Sequence, residues 1–397
     1  MGIIKIKNSR VKPLMLHHPW VMSGAVSEIV NKPENGSLVK VVTENDEFIA
    51  WGFFSKHSQI CVRLLSWNAS DAIDMEWFSS RMSESIKRRL ALSSRSDLNA
   101  YRLIYSEADF IPGLIVDKYS DYLVLQSVTA GIDKIKRDLA DILLQLTGAC
   151  GVVEKNIGPF RATEGLSESS TLLAGTNPPD CLDIIESGFR FQVDMLSGQK
   201  TSFYLDQRAN KSRISHYVSD CSVLDVFSYT GGFSVYAIGA GARSVCRIDI
   251  SESALKTGTQ NLRLNFDPLS FQDSIMCQDA FSALRDLIRS KVYFDLIILD
   301  PPKLAPRRSA VKNALRAYKD LNMQAMKLLK PDGILATFSC SGAISLDQFR
   351  DTLMWAAADS KCEAHILEML TQGIDHPVRL SFPESIYLKG FICRIIR

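Results

Sequence analysis

The chain has 397 residues, with 46 Lys and Arg against 44 Asp and Glu and a formal charge of +2. Its 46% hydrophobic and 23% charged content excludes a disordered chain and a histone-like polycation, and the length suits two or three domains at roughly 100–200 residues each. A near-neutral total still permits a local basic face for nucleic acid. Nine cysteines run singly from Cys61 to Cys393, without a Cys-x-x-Cys pair or zinc-finger spacing. No metal site is therefore expected, and a cytoplasmic chain with reduced thiols is the simplest account. The start Met1-Gly2-Ile3-Ile4-Lys5-Ile6 lacks the apolar block of a signal peptide, and Ile6 stands where a myristoylation signal places Ser or Thr. No apolar run approaches the ~20 residues that cross a bilayer, so no membrane partner is expected.

Residues 1–70 read as short strands, at 37–43, 48–54 and 60–65, joined by the polar turns 44–47 and 55–58. With no long helical period, a small β-barrel is expected. The segment His17-His18-Pro19-Trp20-Val21 resembles the start of PUA domains, compact RNA-binding barrels. Lys5, Lys7, Arg10 and Lys12 are then candidate RNA contacts, although such residues also suit an ordinary solvated surface. The polar stretch 66–71 can cap a following helix, whose stripe is Phe78, Met82, Ile86 and Leu90. A hairpin is predicted from 113–118 and 122–128, then a helix carrying Ile132, Ile135, Leu139, Ile142, Leu143 and Leu146. This α+β region, 71–185, shows no reaction chemistry and ends in the loop 175–180.

From 186 to 397 strands and helices alternate. Strands are predicted at 223–227, 244–248, 275–277, 296–299 and 334–338, with helices at 253–265 and 311–329 among the segments between them. The expected fold class is therefore multidomain α/β, with a doubly wound, Rossmann-like sheet that binds ligands at the carboxyl ends of its strands.

The strongest local signal is Val223-Leu224-Asp225-Val226-Phe227-Ser228-Tyr229-Thr230-Gly231-Gly232-Phe233. A buried strand ends in an acidic residue and a Gly-rich turn before a helix, where backbone can approach a ligand and offer N–H donors. Neither the Gly-x-Gly-x-x-Gly of dinucleotide sites nor the Gly-Lys-Ser/Thr of phosphate loops is present. An acidic residue there suits an ammonium better than a pyrophosphate. Asp249 could accept both hydroxyls of a ribose, and Asp279 the amino group of an adenine. Each alone also suits a helix cap or a solvated turn. Their succession after adjacent strands looks like a class I S-adenosylmethionine methyltransferase.

Asp295-Leu296-Ile297-Ile298-Leu299-Asp300-Pro301-Pro302-Lys303 ends the next strand. Amino methyltransferases often carry Asn/Asp-Pro-Pro followed by an aromatic residue that stacks on the target base. Lys303 takes that place here, which argues against direct amino methylation. The fifth strand supplies Thr337-Phe338-Ser339-Cys340-Ser341-Gly342. A free Cys is usually a buried hydrophobe, and that reading fits Cys246 and Cys277. Cys340 ends a strand beside Asp300 and before a glycine, which favours a nucleophile. Carbon 5 of a pyrimidine needs a thiolate added at carbon 6 before it can take a methyl group, and an acidic group near ring N3, open to Asp300, favours that addition.

At this point the sequence closely resembles the ribosomal large-subunit methyltransferase I family, bacterial 23S rRNA 5-methylcytosine methyltransferases. The likeness is carried by Gly198-Gln199-Lys200-Thr201-Ser202-Phe203-Tyr204-Leu205-Asp206-Gln207-Arg208, residues 227–233, Asp300-Pro301-Pro302-Lys303, Ser339-Cys340-Ser341-Gly342, His376-Pro377 and Pro383-Glu384-Ser385-Ile386-Tyr387-Leu388-Lys389-Gly390. Ser202 departs from an expected Gly, and Ile250 separates Asp249 from Ser251. The resemblance implies a PUA domain, a central α+β domain and a Rossmann-like catalytic domain. It implies that Cys340 is the nucleophile and that Asp225, Asp249, Asp279 and Asp300 line the pocket for S-adenosyl-L-methionine and base. Gln199, Tyr204, Asp206 and Arg208 would fold over the cofactor, with Phe227, Tyr229, Thr230, Gly231 and Ile250 in its binding turns. From the residues themselves, Lys303, Arg307, Arg308 and Lys312 after the Asp-Pro-Pro motif could join Lys5, Lys7 and Arg10 in holding RNA phosphates, although that cluster also suits a solvated loop and helix face. The expected partner is 23S rRNA, free or in an assembly intermediate, with a homodimer as a further state. Two other readings remain: amino methylation of guanine or adenine without a covalent step, and a non-catalytic RNA-binding assembly protein.

Overall fold

In the computed structural model, residues 1–195 and 203–397 are described, with every side chain among them except Pro159 and Phe160. The chain divides into two units: Met1–Gly188 with Val193–Leu205 and Ile374–Ser385, and Phe189–Gln192 with Asp206–Gly373 and Ile386–Arg397.

The first unit opens with β1 (Gly2–Ile6), the short α1 (Val11–Met15), β2 (Trp20–Met22), β3 (Val26–Val30), β4 (Leu38–Thr43), β5 (Phe48–Phe54) and β6 (Ile60–Ser66). They form a sheet in the order β2-β6-β5-β4-β1-β3, parallel only between β1 and β4. Alternation in β1 buries Ile4 and Ile6 against Val39, Val41, Val62 and Leu64. The expected strands thus form, within a residue at each end.

A second core follows, built on α2 (Met75–Lys87), α3 (Leu90–Ser93), β7 (Ala100–Tyr105), β8 (Leu114–Tyr119), β9 (Tyr122–Ser127), α4 (Ala130–Thr147), β10 (Gly151–Asn156), α5 (Pro159–Thr163) and β11 (Ser169–Gly175). The sheet order is β11-β10-β9-β8-β7. Asp74 caps α2 by accepting from the Trp77 amide. The expected stripe fails at Leu90, which is 60% exposed. The helix stops at Lys87 because Arg89 is drawn inward, donating to both carboxylate oxygens of Asp109 at 2.9 and 2.6 Å. β12 (Leu182–Glu186) completes this part.

The second unit takes up residues 189–192 of β13 (Phe189–Val193), α6 (Arg208–Ile214), and then β14 (Ser222–Val226), α7 (Gly232–Gly239), β15 (Ser244–Asp249), α8 (Glu252–Asn265), β16 (Gln272–Cys277), α9 (Ala280–Arg289), β17 (Phe294–Leu299), α10 (Val311–Leu328), β18 (Leu329–Ser339), α11 (Leu346–Asp359), β19 (Glu363–Leu370) and β20 (Lys389–Ile396). The seven strands order as β16-β15-β14-β17-β18-β20-β19. β14 to β18 are parallel, and β20 inserts antiparallel between β18 and β19. The order reverses between β14 and β17, so their carboxyl ends open the crevice where such sheets bind ligands.

β16 and β18 start three and five residues before the sequence pattern indicated. β16 starts at Gln272 because an edge strand tolerates the polar Gln272-Asp273-Ser274. β18 starts at Leu329, hidden in the sequence by the turn-forming Pro331-Asp332-Gly333.

One charge organises this sheet. Arg247 of β15 is fully buried and reaches Asp273 of β16 with two bonds, 2.9 and 2.6 Å. It also donates to the Leu255 carbonyl and the Thr259 hydroxyl of α8. Arg247→Met is expected to destabilise the chain by about 3 kcal/mol, because Asp273 loses its counter-charge and two further acceptors lose their donor. Urea unfolding followed by circular dichroism checks this, and an unchanged midpoint would refute it.

Candidate active site

The turn after β14 is built under constraint. Phe227 and Tyr229 hold φ of 64° and 47°, and Gly231 a φ of 76°. Left-handed backbone at two non-glycine residues costs of order 1 kcal/mol each and persists only where surrounding bonds enforce it. Those bonds are present. The Ser228 amide donates to the Ile248 carbonyl at 3.0 Å, and the Asn261 amide group donates to the Thr230 carbonyl at 2.9 Å. A Cβ at Gly231 would stand 3.3 Å from the Gly258 Cα of α8, and one at Gly258 only 2.3 Å from the Arg247 guanidinium. Glycine at both positions lets turn and helix approach.

Asp225 is fully buried beneath this turn. Its Oδ2 accepts from the Ser234 hydroxyl at 2.7 Å, while Oδ1, like the buried Ser228 hydroxyl, has no partner among the described residues. Burial pushes the Asp225 carboxyl up to about 6, against the pull of Ser234 and Arg247. At the end of β15, Asp249 accepts from the Tyr229 amide and the Ser251 amide, both at 2.9 Å. One carboxylate thus ties the first strand-end turn to the second, and Ile250 beside it is 77% exposed. Asp279 is exposed and caps α9, accepting from the Ser282 amide at 3.1 Å.

Asp206 is buried, and its Oδ2 accepts from the Tyr387 hydroxyl at 2.6 Å. Arg208 is buried at the first position of α6. Tyr204 is half-buried and belongs to the first unit, and Gln199 lies outside the described residues.

The loop after β17 forms the other side of the crevice. The Asp300 amide donates to the Val226 carbonyl at 3.4 Å, holding this strand end beside β14. Cys340, half-buried just past β18, has its thiol 3.8 Å from the Pro301 carbonyl. Ser341 locks the two strand ends together: its hydroxyl accepts from the Ala305 amide at 3.1 Å and lies 3.4 Å from the Tyr318 hydroxyl. Burial pushes the Tyr318 phenol up to about 12, so it stays neutral near pH 7. Lys303, Arg307 and Arg308 stand exposed on the following loop.

The basic residues of the first unit divide. Lys5 is neutralised by Asp46 at 2.8 Å and Glu28 at 3.8 Å. Lys7 donates to the Gly24 carbonyl at 3.1 Å, and Arg10 is exposed. Sequence reasoning missed Ser234, Asn261 and Tyr318, whose polar groups act only through tertiary contacts. It quoted Tyr387 and Lys389 within a motif without assigning either a task.

A family model for S-adenosylmethionine-dependent methyltransferases matches residues 155–379, and a PUA-like domain model matches residues 4–67. The Ribosomal RNA large subunit methyltransferase I of Tolumonas auensis is 40% identical over 394 residues, covering 99% of both chains. That of Aliivibrio fischeri is 38% identical over 393 residues with the same coverage. The chain belongs to the ribosomal RNA large subunit methyltransferase I family. The crystal structure of SMU.776, complexed with SAH, shares the fold at a TM-score of 0.86 and 22% identity, covering 99% of this chain and 100% of that one. Membership brings S-adenosylmethionine as cofactor. The residues present fit it: a buried Asp225 carboxylate oxygen without a partner among the described residues, and a second carboxylate, Asp249, at the next strand end.

Proposed function

We propose that this chain methylates carbon 5 of a cytosine in 23S rRNA, using Cys340 as a transient covalent nucleophile. The observation that carries the reading is the meeting of Cys340 with the Asp300-Pro301-Pro302 loop, thiol against the Pro301 carbonyl at 3.8 Å. Asp225, with the turn Phe227-Ser228-Tyr229-Thr230-Gly231, would hold the amino-acid end of the cofactor. Asp249 and Ile250 would hold its ribose, Asp279 its adenine, and Asp206 and Arg208 would cover it. S-adenosylmethionine supplies the methyl group as an electrophile on a sulfonium sulfur.

The protein's part is to make carbon 5 nucleophilic. Cys340 Sγ bonds to carbon 6, and the π electrons of the C5–C6 bond become available at carbon 5. Asp300 holds a proton at ring N3 and accommodates the charge. After transfer, the carbon 5 proton passes to solvent, its C–H electron pair re-forms the C5–C6 double bond as the C6–S bond breaks, Sγ leaves as thiolate, and the N3 proton returns to Asp300. A base stacked in a duplex cannot meet Sγ, so the target must be unpaired or flipped.

Among the described residues, hydrophobic cores at residues 4–64, 65–152 and 224–395 support the division into a PUA-like domain (1–70), a central domain (71–185) and a catalytic domain (186–397). Exposed Arg10, Lys303, Arg307 and Arg308, with Lys7, are the assigned phosphate contacts. A 23S rRNA substrate places the reaction in the cytoplasm, in keeping with nine free cysteines. Bisulfite sequencing of 23S rRNA treated with the purified chain, offered naked and as assembly intermediates, tests the reading. One newly protected cytosine is the expected result, and methyl groups found only on purine amino nitrogens would overturn it.

A further inference from the structure

We propose that Lys389 is a positioning residue whose buried ammonium holds the Cys340 thiol in its thiolate form. The proposal rests on Cys340 being the attacking group. Its ground is the way β20 is inserted. β20 runs antiparallel to β18 with Lys389 opposite Ser339, the residue before Cys340. The Lys389 ammonium then donates to the carbonyl of Ser341, the residue after Cys340, at 2.9 Å. One residue thus meets the chain on both sides of the thiol, through its backbone beside Ser339 and through its ammonium at Ser341.

Lys389 is only 6% exposed. An ammonium in such a place carries a desolvation cost that an apolar side chain in the same strand would avoid. A charge retained there raises the question of what it faces. Cys340 and Ser341 face it from the end of β18, Asp300 and Lys303 belong to the loop after β17, and Tyr318 to α10. Burial lowers the Lys389 ammonium to about 8, the Cys340 charge draws it back up, and Lys303 lowers it further. Such coupling is reciprocal: a thiolate that favours the ammonium is favoured by it. Tyr318 contributes no charge near neutral pH, since its phenol titrates at about 12. The support therefore operates while Lys389 is protonated, below about pH 8, and fades as pH rises through that value.

The test is pulsed alkylation of the full chain with iodoacetamide from pH 5 to 10, with the Cys340 peptide quantified by mass spectrometry. The exposed Cys150 and Cys277 serve as references in the same sample. Partial burial slows Cys340 at every pH but leaves its midpoint readable. In the wild-type chain the Cys340 midpoint is expected below those of the references. Lys389→Met is expected to raise it by a unit or more and to slow Cys340 labelling at pH 7 by about tenfold. The references and cofactor binding stay unchanged, and Lys389→Arg, which keeps the charge, retains a low midpoint. A wild-type Cys340 midpoint at or above the references overturns the proposal without any variant, which covers the case in which the variants fail to fold. A folded Lys389→Met chain with an unshifted midpoint overturns it as well. Full methyl transfer by Cys340→Ala would instead sink the nucleophile reading and leave the thiol profile standing, so the two failures are distinguishable.

Discussion

Cys340→Ala lowers methyl transfer to RNA by at least about a thousandfold, equivalent to roughly 4 kcal/mol on the barrier, and leaves S-adenosylmethionine affinity within about threefold. The asymmetry follows from the site. In the proposed mechanism, removing Sγ takes away the group that would activate carbon 5, the thiol that stands 3.8 Å from the Pro301 carbonyl. The turn after β14, proposed to hold the cofactor, is fixed by Asn261, Asp249 and Gly258, none of which depends on the thiol. Transfer of labelled methyl groups measures the first effect and calorimetry the second. An alanine variant with full activity would favour amino methylation at the Asp300-Pro301-Pro302 loop, which needs no covalent step.

Asp225→Asn weakens S-adenosylmethionine binding by about 30- to 100-fold, the scale of a lost charge-assisted contact, and it also removes a pH dependence from the unliganded protein. The carboxyl titrates near 6 in the folded chain against an ordinary 3.8. A raised folded value means that the folded state binds more protons between those limits. Stability is then highest below about 4 and falls as pH rises to about 6, by up to about 3 kcal/mol for a shift of this size. Asparagine does not ionise, so urea midpoints measured from pH 4 to 7 lose that component. In the wild type, cofactor affinity should rise over the same interval, because an ionised Asp225 is the form that attracts an ammonium. Identical midpoint profiles for wild type and variant would sink this account.

Much of this was legible in the sequence because it depends on local pattern. The β-rich runs at 48–54 and 60–65 foretold the strands β5 and β6. The apolar runs ending at Asp225 and Asp300 marked the central strands, whose two faces are both covered. Where the pattern misled, a tertiary contact outweighed local periodicity. The helical spacing that pointed to Leu90 was overridden by the bond of Arg89 to Asp109. The polar start of β16 carried no strand signal because an edge strand has one side unpaired.

By itself the sequence determined the alternation of elements, the acidic strand ends, the glycine turn and the Asp-Pro-Pro and Cys motifs, since each lies within a dozen contiguous residues. Only the tertiary structure decided what those groups face. It left one oxygen of Asp225 without a partner among the described residues, turned Asp249 toward the Tyr229 amide, and set Cys340 against Pro301. It also brought the Lys389 ammonium to Ser341 across 48 residues of chain. The physical reason is that hydrogen bonding and burial act through space. Strand order, above all the insertion of β20 between β18 and β19, sets which side chains become neighbours, and no short window of sequence contains that order.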